Sequence, residues 1–222
     1  MKQIRWIRIG GIAGILYVLV GVIAGALTGA IPPADGRAIT YQNYFIDKQH
    51  LLVVQAWMFP LVVPALLMFS VAVRRILHRS DQYLSELFLV AQTVIATLLI
   101  VTMGLQIAVA QASSNLDAEV VFTMGTHAEA IIIELFGFVT ATAAFAYAVC
   151  VSKDGVLPRW TAYPAVLAVL VCIASTAAVF VRTGPFALEG GVGAFAPALA
   201  TVLWYLSTSI AMLGAGGGWV DV

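Results

Sequence analysis

The sequence predicts an all-α polytopic membrane protein, a six-transmembrane-helix bundle with both termini cytoplasmic, and three observations predict it. The 222 residues are 62% hydrophobic and only 10% charged, with mean hydropathy +1.00, more apolar surface than a soluble domain of this size can bury. Six largely uncharged windows reach the roughly 20 residues that cross about 30 Å of hydrocarbon; they cover 9–31, 50–73, 84–111, 126–151, 161–182 and 194–214. The basic residues then sort by side. One set of helix ends carries Lys2, Arg5, Arg8, Arg74, Arg75, Arg79, Lys153 and Arg159, and the other only Arg37, Lys48 and Arg182. Basic residues near span ends are retained in the cytoplasm, so 32–49, 112–125 and 183–193 are expected outside. With such short connections, 1–222 reads as a single transmembrane domain.

Span one starts from a basic segment, but its apolar run exceeds the roughly 7–15 residues of a signal-peptide core, so it is expected to stay as an anchor. Gly21, Gly25 and Gly29 form a small-residue ridge at four-residue spacing. Such a ridge lets helices approach closely; packing inside the subunit is expected, with a dimer seam as the alternative. After Pro32-Pro33, Thr40 is placed to cap a short helix carrying Tyr41, Tyr44, Phe45 and Lys48 on one stripe, either an interfacial anchor or a lid over the bundle mouth. Pro60 and Pro64 sit one turn apart in span two and predict a kink. The arginines at 74, 75 and 79 are expected to meet anionic headgroups. Cys150 and Cys172 fall within spans, so neither reads as an extracellular disulfide.

Glu134 is the most anomalous residue. It lies inside the apolar run of span four, where an acid costs about 2.5–3.5 kcal/mol on insertion scales and is expected to face the bundle, water or a partner. An unbroken α-helix puts His127 on the same face, continuing through Phe138, Ala141 and Phe145 as an apolar wall. Matching stripes are His50, Trp57 and Pro64 in span two, preceded by Asp47; Gln92, Leu99, Met103 and Gln106 in span three; and Ser175 with Arg182 in span five. The candidate ligand-binding set is therefore Glu134, His127, His50, Arg182, Gln106 and Asp47, all in the outer half. It suits a lipid or other hydrophobic ligand with a polar head, or else Glu134 forms a structural pair with Arg182 or His127.

No catalytic residues, metal or cofactor are expected, and enzymatic activity is not the favoured reading. The alternative cofactor is one b-type haem with His50 and His127 as axial ligands. A metal site from Asp47, His50 and His127, with Glu134 as base, lacks any clustered motif. A proton-coupled transporter would use Glu134 but finds few other charges along the spans. Expected partners are membrane lipid and a larger membrane complex or homo-oligomer, in which the chain serves as an accessory subunit; nucleic acid is not expected.

The junction of spans four and five reads Ser152-Lys153-Asp154-Gly155-Val156-Leu157-Pro158-Arg159. It resembles the Ser-x-x-x-Leu-Pro-Arg junction of bacterial six-helix membrane proteins grouped as a domain of unknown function, with one extra residue after Ser152. His127 and Phe136-Gly137 are similar to positions common in the fourth helix of that group. The Gly-Asp pair that often follows its first helix is met here only in reverse, as Asp35-Gly36. The resemblance centres on 127–182 and implies a six-helix fold in a bacterial plasma membrane, with no activity attached.

Overall fold

The computed structural model describes residues 2–29, 32, 37–181, 184, 193 and 195–214; the side chains of 2–4 and 126–134 lie outside the description. The helices are α1 (Lys2–Leu27), α2 (Ala38–Asp47), α3 (Gln49–Leu61), α4 (Val63–Leu77), α5 (Gln82–Ala112), α6 (Ala118–Phe122), α7 (Glu129–Asp154), α8 (Ala162–Ser175) and α9 (Ala196–Gly214), with a π-helical turn at Thr123–Ala128. Among the described residues there are six helical stretches long and apolar enough to cross a membrane: α1, α3 with α4, α5, α7, α8 with its flanking 3₁₀ turns, and α9. This is the multi-pass architecture that the hydropathy pattern requires.

Span two breaks where its prolines predict. α3 ends at Leu61 and α4 begins at Val63, with Val62 between them at φ −97°, ψ 1°. Pro64 has no N–H to offer the Pro60 carbonyl one turn back, so the α-helical ladder fails there. Asp81 starts α5 by accepting from the Leu84 N–H at 3.0 Å, which satisfies an otherwise orphaned donor. α7 stops at Gly155, where φ is +62° and the N–H reaches the Val151 carbonyl at 3.1 Å, a left-handed helix end that glycine adopts without a Cβ penalty.

The spans close into a ring. α1 packs on α3, α4 and α9; α5 on α3, α4 and α7; and α8 on α7 and α9. The start of α1 and the end of α9 share one end of the bundle, since a Cβ built at Gly10 would touch both Ala72 and Met212. Arg74 pairs with Glu86, and Ser80 donates to Asp154, which brings the α4, α5 and α7 ends to this same level. It is the basic end.

The centre of the ring is filled by Tyr17, Phe69, Phe88, Tyr147, Trp204 and Tyr205, in ring contacts with centroids 4.9–6.4 Å apart. α1 reaches this core because glycine removes its side chains: a Cβ at Gly14 would lie 2.3 Å from Ser209 Oγ and 2.6 Å from Phe69, and one at Gly11 2.9 Å from the Ser209 carbonyl. The expected ridge does not make this contact. A Cβ at Gly21 meets only Phe59 at 3.6 Å, and those at Gly25 and Gly29 meet no described atom within 4 Å. The close approach belongs to the glycines at 10, 11 and 14, where α4 and α9 arrive.

The outward faces are apolar. Ile12, Leu16, Leu19 and Ile23 are exposed along α1, and Val166, Leu167, Leu170 and Ile173 along α8. α7 is the most enclosed span: 56% of its apolar window is buried, against 28% for the span through α8.

Candidate functional site

At the end opposite the arginines, the chain packs a short amphipathic helix onto α6 and the adjoining ends of α3 and α5. α2 places Tyr41 and Phe45 inward, into a satellite core with Leu52, Val109, Ala110 and Val121. The Tyr41 ring meets Phe122 edge-on at 5.0 Å, and its hydroxyl donates to the Pro32 carbonyl. Gln42 Nε2 donates to the carbonyls of Ser113 at 3.1 Å and Leu116 at 2.7 Å, satisfying acceptors that the end of α5 leaves open. A Cβ at Gly125 would sit 2.8 Å from the Phe45 ring. Of the stripe expected on this segment, Tyr41 and Phe45 are buried, Tyr44 is half-buried and Lys48 is exposed. Thr40 does not cap the helix: α2 begins at Ala38, and its N-cap position, Arg37, makes no side-chain cap bond.

One helical turn below Ala110 on α5 lies Gln106, 5% exposed, whose Nε2 donates to Gln55 Oε1 of α3 at 2.9 Å and makes a longer contact, 3.4 Å, to the Leu52 carbonyl. The stripe anticipated on span three is the inward one: Gln92, Met103 and Gln106 are all buried. Gln55 was missed as a partner because the seven-residue spacing of His50, Trp57 and Pro64 drew attention to another face. That face points outward. His50 and Pro64 are exposed and Trp57 is 60% exposed, while Leu52 and Ala56 make the buried side. The physical reason is size, since α3 approaches α5 through Ala56 and leaves its indole outside.

The same correction applies to the wall expected on α7. Phe138 and Phe145 are about half exposed, and Ala141 alone of that trio is buried. The buried face consists of Gly137, Thr140, Ala143, Ala144, Tyr147 and their neighbours. A Cβ at Gly137 would lie 2.4 Å from the Cys172 carbonyl of α8, so small residues set the approach of these helices.

Asp47 and His50 are exposed at the junction of α2 and α3. The side chains of His127 and Glu134, and all of Arg182, lie outside the described residues. The backbone around His127 is π-helical. A wider turn takes up an extra residue, as single π turns in functional helices often do, so the α-helical spacing between His127 and Glu134 does not run unbroken. α3 and α7 share α5 as a neighbour. Ser175 is buried, with its hydroxyl given to the Cys172 carbonyl at 2.9 Å. Among the described residues no three His, Cys, Asp or Glu side chains gather as a metal site would require.

A second buried polar layer lies nearer the middle of the bundle. Tyr205 Oη donates to Gln92 Oε1 at 2.9 Å, and Tyr147 Oη to Thr161 Oγ1 at 2.7 Å. Among the described residues, Gln92 Nε2 and Trp204 Nε1 are buried and find no partner. The amide of Gln92 stands out in the sequence, whereas the tyrosines are hidden in apolar runs; the cue was a phenol at mid-span, whose hydroxyl needs a partner when buried. Amides and phenols of this kind orient a ligand or fix helix register.

No protein-family model matches this chain, and neither the curated proteins nor the solved structures contain a significant match to it.

Proposed function

We propose that the protein is an integral binding or accessory protein of the bacterial plasma membrane, with its basic end in the cytoplasm and an outer-facing polar pocket for a lipid or other hydrophobic ligand. It acts alone or as a subunit of a larger membrane complex. The observation that carries this reading is α2. A simple interfacial anchor would turn its aromatic face to lipid, whereas Tyr41 and Phe45 turn inward and cover the corner between α3, α5 and α6, beside the Gln106–Gln55 amides. Hydrogen-bonding groups beside such a cover, in otherwise apolar surroundings, suit an amphipathic ligand entering from the outer leaflet. Glu134, His127 and Arg182 are assigned to its polar head, with Asp47 and His50 exposed at the rim.

The test is mass spectrometry of organic extracts from purified wild type, Glu134→Gln and Gln106→Leu, each first checked for folding by circular dichroism. One lipid enriched in wild type and lost from a folded Glu134→Gln supports the pocket. An empty wild type, or the same lipid retained in both variants, overturns it. Unfolding of Glu134→Gln alone would assign Glu134 to a structural pair, and Gln106→Leu then decides the pocket.

A further inference from the structure

A groove of about 310 Å³ runs between α1 and α4 at the basic end, walled by Trp6, Ile7 and Gly10 on one side and by Met68, Val71 and Ala72 on the other, with Arg75 and Arg79 among its lining residues. Its floor exists because α1 and α4 nearly touch: a Cβ at Gly10 would be 2.3 Å from that of Ala72. The walls stay open, for Trp6, Met68 and Val71 are each between 41% and 55% exposed. This volume sits at the small end of the ligand-pocket range.

The charges around the groove are not balanced. Arg74 is matched by Glu86 on α5. Arg75 is exposed and takes no acid among the described residues, and Arg5 and Arg8 on α1 are exposed at the same end. An apolar slot leading to the exposed Arg75 guanidinium calls for a hydrocarbon chain ending in an anion.

From this we infer that the groove is a specific site for an anionic phospholipid of the leaflet at the basic end. One acyl chain lies along Met68 and Val71, the headgroup phosphate is held by Arg75 with Arg79, and Trp6 is placed at headgroup depth. A guanidinium binds phosphate through two parallel N–H donors, which an unordered lipid annulus does not require. The site is at the opposite end of the bundle from α2 and does not depend on the pocket proposed there.

The test is native mass spectrometry of the full chain in neutral detergent, titrated with dioleoyl phosphatidylglycerol or with phosphatidylcholine of identical chains. Wild type is expected to prefer phosphatidylglycerol by about fivefold or more, the worth of one basic side chain near an anionic lipid. Arg75→Gln removes most of that preference, because it weakens the anionic phosphatidylglycerol more than the zwitterionic phosphatidylcholine. Val71→Trp fills the slot and weakens both lipids alike, with Met68→Trp as the second filling variant should Val71→Trp fail to fold. Equal binding of the two lipids by wild type, an undiminished preference in Arg75→Gln, or unchanged binding in a folded filling variant each overturns the inference. So does full displacement of phosphatidylglycerol by millimolar inorganic phosphate, because the acyl groove would then contribute nothing.

Discussion

Removing the Tyr205 hydroxyl is the sharpest probe of the core. In Tyr205→Phe the ring contacts with Tyr17, Phe69 and Trp204 keep their shape, and only the 2.9 Å bond to Gln92 Oε1 is lost. Hydrogen bonds between transmembrane helices average about 0.6 kcal/mol and reach about 1.7. Here the loss is larger than the mean, because Gln92 is fully buried and its Nε2 already lacks a partner among the described residues. The substitution leaves the whole amide unsatisfied, which costs about 1–3 kcal/mol. Gln92→Leu in the same background removes the orphaned amide, so the double variant recovers much of the loss. A coupling energy of about 1 kcal/mol is expected from the four-protein cycle, measured by reversible unfolding in mixed micelles followed by circular dichroism. Strict additivity, or a Tyr205→Phe protein as stable as wild type, would refute the argument that this bond ties α5 to α9.

Glycine packing gives a matched pair. Gly14→Ala forces a methyl onto Ser209 and Phe69 and is expected to cost about 1–3 kcal/mol by overpacking; Gly25→Ala meets open space and is expected to be neutral or to gain up to about 1 kcal/mol from helix propensity, both read by the same unfolding assay. For orientation, cysteine introduced at Lys48 in a background lacking Cys150 and Cys172 should label with an impermeant thiol reagent in intact cells, and cysteine at Lys153 only after lysis; the reverse pattern inverts the assignment of the basic end. An absorption spectrum of the purified protein, oxidised and reduced, tests the haem alternative: a Soret band abolished separately by His50→Ala and by His127→Ala would establish both as ligands, and a colourless wild type removes that model.

The membrane class was legible because it rests on length and composition. The break in span two and the existence of α2 were legible because proline and a short aromatic stripe act locally. The close-packed glycines were less so. Gly21, Gly25 and Gly29 carry the cleaner spacing, but spacing states only that a helix can approach, and the neighbours arrive at Gly10, Gly11 and Gly14 instead. Gln55 and Tyr205 escaped for a related reason, since each acquires meaning only from a partner 51 and 113 residues away.

The misassigned faces follow from the solvent. In water, a stripe of Trp or Phe along a helix marks the core, because burial removes apolar surface from water. In a bilayer the lipid face is as apolar as the core, so hydropathy does not separate them, and size and polarity decide instead. The wall expected through Phe138 and Phe145 is exposed, as is Trp57, whereas Ala56, Gly137, Ala143 and Ala144 are buried between helices. The stripe anchored on amides, Gln92 through Gln106, faces inward because hydrocarbon offers an amide no partner and another helix does. In this chain the buried amides of Gln92 and Gln106 therefore mark the inside, and an aromatic stripe such as Phe138 with Phe145 does not by itself separate core from lipid.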